Sequence, residues 1–147
     1  QMDKRYLALV AGRWPARRDY VAARLDRYTL ANGERRVRVD AQGKVARTRF
    51  AVRETFPRAT LMEAEPVTGR THQIRVHAAH AGHPLLGDDK YATRDSERLS
   101  QVLGVTRLFL HAESLSFPEP TSGRPVRIRA PLPEELEAVL ARARRET

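Results

Sequence analysis

The spacing of apolar and polar residues changes several times along this chain of 147 residues, and each change marks an element. Tyr6-Leu7-Ala8-Leu9-Val10-Ala11 is a short apolar run stopped by Gly12 and followed by Trp14-Pro15, as expected of a buried strand and then a turn. From Ala16 to about Asn32 no clean period survives among many arginines, and the Asn32-Gly33 pair points to a basic loop or an irregular hairpin. Val37-Arg38-Val39 suits a short strand. Arg47-Thr48-Arg49-Phe50-Ala51-Val52-Arg53 alternates polar and apolar positions like a half-buried strand, and Thr60 to Val67, entered after Pro57, suits its antiparallel neighbour.

The period then becomes helical. Thr71 to Ala81 predicts a short helix with Thr71 as N-cap, Gly82 just past its end and Pro84 beyond. After a turn at Gly87-Asp88, a second helix is predicted over Ser96 to Leu103, and a strand begins at Arg107-Leu108-Phe109-Leu110-His111-Ala112. Arg124 to Ala130 alternates and pairs with Leu115-Ser116-Phe117 across the Pro118 to Gly123 turn. A last helix opens at Leu132-Pro133-Glu134-Glu135-Leu136, with early acids and with Arg142, Arg144 and Arg145 late, as the helix dipole favours. The sum is an α+β domain, a mixed and mainly antiparallel sheet with a few helices, spanning residues 1–147 as one unit.

Composition narrows the class. With 41% hydrophobic residues the chain buries one core, and no apolar stretch approaches the roughly 18 residues of a membrane span. No apolar targeting segment opens it, and zero cysteines remove disulfides and thiolate metal sites, in keeping with a reducing cytoplasm. The net charge of +9 is local: residues 1–53 hold fourteen basic residues against five acidic ones, and the rest of the chain is balanced. Arginine predominates, which suits a polyanion, most simply a nucleic acid, because guanidinium forks match phosphate.

Candidate chemistry gathers at Gly69-Arg70-Thr71-His72-Gln73-Ile74-Arg75. A glycine turn, a capping hydroxyl and a helix start with free N–H groups form an anion-holding device, and Arg70 and Arg75 add permanent charge. Two anions suit it, an RNA or DNA phosphate and a catalytic carboxylate. His72, His77, His80 and His83 lie within twelve residues, but their spacing is not that of a helical zinc site, so local bonding is expected and no metal. Asp88-Asp89 follows Gly87 as an aspartate that bonds its own turn, with acid–base or magnesium chemistry the alternative.

The ordered set of Lys4 to Gly12, Gly69 to His77, Gly82-His83-Pro84-Leu85-Leu86-Gly87-Asp88, Tyr91 and Leu108 to Ala112 resembles the RluA-type pseudouridine synthases, in particular the ribosomal large-subunit branch. The resemblance implies isomerisation of uridine in RNA, large-subunit ribosomal RNA before transfer RNA, in the cytoplasm and without metal or organic cofactor. It also implies that Tyr6 stacks on the target base, that Arg75 pairs with the catalytic aspartate, that Leu110 walls the base pocket, and that Arg70, Thr71, His72 and Gln73 lie toward the RNA. The family's His-Arg-Leu-Asp segment ahead of the Tyr strand has no counterpart here, where only Gln1-Met2-Asp3 precedes Lys4. Arg24-Leu25-Asp26-Arg27 copies part of it on the wrong side of the strand, and Asp26 is assigned to the basic loop. The expectation is therefore the C-terminal part of a catalytic domain, inactive alone for want of its nucleophile. Two other functions stay open: a non-catalytic RNA-binding module of the same fold, and, far behind, a metal-dependent nuclease.

Overall fold

A computed structural model describes residues 3–67 and 71–146, at Thr71 the backbone only. Its strands are β1 (Asp3–Ala11), β2 (Tyr20–Ala22), β3 (Leu25–Thr29), β4 (Arg35–Val39), β5 (Arg47–Thr55) and β6 (Ala59–Pro66). Helices α1 (Thr71–His80) and α2 (Arg94–Val102) follow, then β7 (Leu110–Pro118), β8 (Pro125–Arg129) and α3 (Glu134–Arg145). Six strands form one sheet in the order β2-β5-β6-β1-β7-β8, and β3 and β4 form a separate two-stranded ribbon. All described pairings are antiparallel. The α+β expectation holds.

The continuous apolar run of β1 reflects its place in the middle of the sheet. Tyr6, Ala8 and Val10 join Met62, Ala64 and Phe50 in an apolar layer with Ile74 and Ala78 of α1. Leu7 and Leu9 point the other way, into a layer with Leu99, Leu103, Leu136, Val139 and Leu140 from α2 and α3. Both faces of the strand are therefore dry, whereas β5 alternates buried Thr48 and Phe50 with exposed arginines. Period 2 is visible only where one face meets water.

Three boundaries differ from the sequence expectation. Residues 16–32 are not a loop: they contain β2 and β3, and β3 pairs with β4 in register from Leu25↔Val39 to Thr29↔Arg35 around the Asn32-Gly33 turn. The hairpin alternative is the one that holds. Lifted off the main sheet, the ribbon has little burial to impose a period on its residues. β7 starts at Leu110 rather than Arg107 and runs unbroken through Leu115 to Phe117. A bulge opposite the Arg5 and Tyr6 step sets Ser114 against Arg5 but Ala112 against Tyr6, shifting the apolar phase by one residue and disguising one strand as two. Helix α2 begins two residues early, at Arg94, because Thr93 and Ser96 form a reciprocal capping box.

The end of α1 matches its expectation bond by bond. Gly82 has φ 92, its N–H donates to Ala79 O at 2.9 Å, and the His83 N–H donates to Ala78 O at 2.9 Å, the paired closure of a Schellman stop. Gly87 also has a positive φ of 80, but there a Cβ would run into the Arg107 carbonyl, whereas the space around Gly82 is open. Gly82→Ala is accordingly expected to lose about 1 kcal/mol, the ordinary left-handed penalty. Gly87→Ala should lose at least about 2 kcal/mol more, by analogy with overpacking. Urea unfolding of the two variants checks the difference, and equal losses would show that the Gly87 turn is not packed as described.

Candidate functional site

Helix α1 presents three polar side chains in its first turns. Arg75 reaches the Gly87 turn, where Nε donates to Asp88 Oδ2 at 2.9 Å and Nη2 to Asp88 Oδ1 at 2.7 Å, a bidentate pair; Nη2 also lies 3.4 Å from Asp89 Oδ1. The Asp88 side chain has 0% exposure and that of Arg75 13%. Asp88 Oδ1 also accepts the backbone N–H groups of Lys90 at 2.8 Å and Tyr91 at 3.0 Å. Burial alone drives the Asp88 carboxyl up, but the Arg75 hydrogen bonds, the two amides and the guanidinium charge together hold it below its ordinary value. The carboxylate is ionised, and the same contacts raise Arg75 further.

Asp88 thus bonds its own turn, as expected. Its pairing with Arg75 was not expected. The resemblance implies a catalytic carboxylate for Arg75, and the structure pairs it with Asp88, thirteen residues downstream. The guanidinium keeps Nη1 without a hydrogen bond to any described residue, so one edge remains for a second acceptor.

Tyr91 packs over Arg75, with the guanidinium carbon 5.3 Å from the ring centroid. The His72 ring meets Tyr91 edge to face at 5.3 Å, and Tyr91 Oη lies 3.3 Å from His72 Nε2. Burial first, then the charges of Arg75 and Lys90, push the His72 imidazole below its ordinary value. Gln73 turns inward. Its amide nitrogen donates to Arg47 O at 2.7 Å and to Thr48 Oγ1 at 3.1 Å. Thr48 Oγ1 in turn lies 2.7 Å from His77 Nδ1, and His77 Nε2 donates to Ala23 O at 2.9 Å. This buried chain of polar groups fastens α1 to β2 and β5. His83 bonds Ala11 O through Nδ1 at 2.8 Å. His77 and His83 are thus bonded locally, and among the described residues no His, Asp and Glu group has the arrangement of a metal site.

Tyr6 lies in the apolar layer beneath α1, with Ala64 of β6 and Ala112 of β7 beside it in register and Leu110 packed against the same layer. Tyr6 and Ala112 line a cavity of about 220 Å³, and burial pushes the Tyr6 phenol up. The structure therefore brings Tyr6 and Leu110 to one face, the face that α1 covers. Arg70 lies outside the described residues, as does the side chain of Thr71, and with them the capping expectation.

Between the ribbon and the start of α1 runs a groove of about 960 Å³, lined by Arg27, Arg35, Arg36, Lys44, His72 and Gln73 among others. Arg36 Nε is buried there with no hydrogen-bond partner among the described residues, Arg36 Nη2 lies 3.5 Å from Glu34 Oε2, and Arg38 sits 4.6 Å over the Tyr28 ring. Asp26, on the same ribbon, pairs with Arg38 at 3.4 Å with much of both side chains in solvent. Sequence reasoning located the basic segment but not the groove, because the groove's second wall is contributed by α1.

Two tests follow from this geometry. Removing Asp88 strands a buried guanidinium and two amides, so Asp88→Ala is expected to lose about 3–5 kcal/mol in urea unfolding; Asp88→Asn, which keeps an acceptor, should lose less. His77 is fully buried and burial holds its pKa below normal, so the unfolded chain binds the proton more readily. The stability contributed by the neutral ring is complete above the unfolded pKa of about 6.5 and falls as pH drops below it, by at most about 1.4 kcal/mol per pH unit. Unfolding at pH 7.5 and 5.5 measures the fall; His77→Gln should flatten it, and an unchanged slope would assign the proton uptake elsewhere.

The chain is similar to known proteins over most of its length. The family model for RNA pseudouridylate synthase matches residues 1–80. Ribosomal large subunit pseudouridine synthase C of Pasteurella multocida is 48% identical over 145 residues, covering 99% of this chain and 44% of the relative. The protein of the same name from Escherichia coli K12 is 48% identical over 145 residues, covering 97% and 46%. The chain thus spans less than half the length of these curated relatives. Among solved structures, Human RNA Pseudouridylate Synthase Domain Containing 4 superposes with a TM-score of 0.74 at 26% identity, covering 98% of this chain and 63% of that one. Human RNA Pseudouridylate Synthase Domain Containing 1 does so with a TM-score of 0.72 at 29% identity, covering 90% and 55%. By fold, by motif and by sequence, the chain belongs to the RNA pseudouridylate synthase family.

Proposed function

We propose that these 147 residues are one partial catalytic domain of an RNA pseudouridine synthase acting on a uridine in large-subunit ribosomal RNA. The observation that carries this is the basic groove between the ribbon and α1, which opens on the side of the sheet that Tyr6 faces. Arg27, Arg35, Arg36 and Lys44 supply the charge for a phosphodiester track. His72 and Gln73 form the wall where that track meets α1.

The reaction needs a flipped uracil held while its C1′–N1 bond breaks and a C1′–C5 bond forms, the C5 proton leaving and N1 gaining one. Tyr6 offers the ring that stacks on the base, Leu110 the side wall, and Arg75 the cation that holds the nucleophilic aspartate through its remaining edge. That aspartate comes from outside these residues, since Asp26 is committed to the ribbon. Asp88 keeps the guanidinium flat and fixed in advance, which is how a preorganised charge contributes to catalysis. No metal or organic cofactor is required by this set of groups. A non-catalytic RNA-binding module shares every feature of the groove and differs only in lacking the aspartate.

A transcript labelled with tritium at uracil C5 tests the proposal, because the label leaves as the C–C bond forms. The 147 residues alone are expected to bind it with an affinity that falls steeply with salt and to release no tritium. Joined to a segment carrying His-Arg-Leu-Asp, they should release it, and Tyr6→Leu, which removes the stacking ring, and Arg75→Lys should each cut the rate at least about tenfold, the scale of a lost positioning contact. Salt-independent binding would remove the groove's role; binding without release by the joined protein would favour the non-catalytic module.

A further inference from the structure

We propose that Tyr91 is a positioning residue that ties the basic ribbon to the Arg75 and Asp88 pair and so sets the width of the groove, an inference that rests on RNA occupying that groove. The ribbon leaves the main sheet at Ala23, and at its base Leu25 and Lys44 exchange backbone hydrogen bonds at 2.9 and 2.8 Å. Beyond that base, β4 is held by the turn that carries Asp88. The Val37 N–H donates to Tyr91 Oη at 3.0 Å, and Lys90 Nζ lies 3.3 Å from Glu34 Oε1. A ribbon of two strands has free N–H groups along its outer edges, and a phenol that accepts one from outside fixes the edge in space.

The same phenol oxygen lies 3.3 Å from His72 Nε2, and the Tyr91 ring covers Arg75 while the Tyr91 backbone N–H is accepted by Asp88. One side chain therefore touches the ribbon edge, the first turn of α1, and the cation of the site. If the ribbon moves outward, the Val37 bond breaks and the phenol loses its reason to stay over Arg75. Groove width and guanidinium orientation are coupled through Tyr91, across 54 residues of sequence between Val37 and Tyr91.

Tyr91→Phe removes the hydroxyl and keeps the ring over Arg75. In the full chain it is expected to weaken binding of a large-subunit ribosomal RNA transcript about 3- to 10-fold, the scale of one hydrogen bond, to speed amide exchange at Val37, and to leave the urea midpoint within error. Val37→Pro deletes the donor instead, and should reproduce the loss, with the double variant adding nothing. Unchanged affinity in Tyr91→Phe overturns the tether. Weaker binding with unaltered Val37 exchange overturns it too, because the hydroxyl then contacts RNA directly. An unsubstituted chain that binds no RNA overturns the functional proposal itself, a result separable from both.

Discussion

A carboxylate with no exposed side-chain surface must either be matched by a cation or give up its charge, and Asp88 is matched by Arg75. Everything at the candidate site is arranged around that requirement. The turn at Gly87 places the carboxylate against α1, two backbone amides bond its Oδ1, and the guanidinium lies under Tyr91 with Nη1 unbonded to any described residue. Such a pair adds little net stability over an apolar replacement, yet losing one partner is severe. Its value lies in where it fixes Arg75.

A second buried network does comparable work from Gln73 and His77 of the same helix. Gln73, Thr48 and His77 pass hydrogen bonds from α1 through β5 to the Ala23 carbonyl, the point at which the ribbon departs. Helix α1 is thus fastened to the base of the ribbon by one polar chain and to its edge by Tyr91. The helix is short for its role, and most of its described side chains are buried or half-buried. Tertiary contacts rather than helix propensity hold it, as is usual for helices of this length.

The motif from Gly69 to His77 marked the site, and the Asn32-Gly33 pair with its arginines marked the ribbon, before any coordinates. What stayed hidden were the partners. Nothing in the spacing of Arg75 and Asp88 distinguishes a surface arginine from a buried bidentate pair, and Tyr91, noted only as part of an ordered resemblance, showed no sign of bonding Val37. β7 was hidden differently: its bulge moved the apolar residues from even to odd positions, so that Leu110 and Leu115 read as belonging to separate strands.

Periodicity records how each element is buried, and burial is an average over whatever surrounds it. By that route the chain alone determines its antiparallel sheet; residue types at single positions determine the helix stop at Gly82, composition gives the basic first third, and an ordered set of motifs carries the family resemblance. Hydrogen bonds and ion pairs are specific to single atoms at about 3 Å, and which atoms meet depends on how the elements are stacked. Only the tertiary structure therefore decided that Arg75 is held by Asp88, that the ribbon and α1 enclose a groove, and that one tyrosine joins the two.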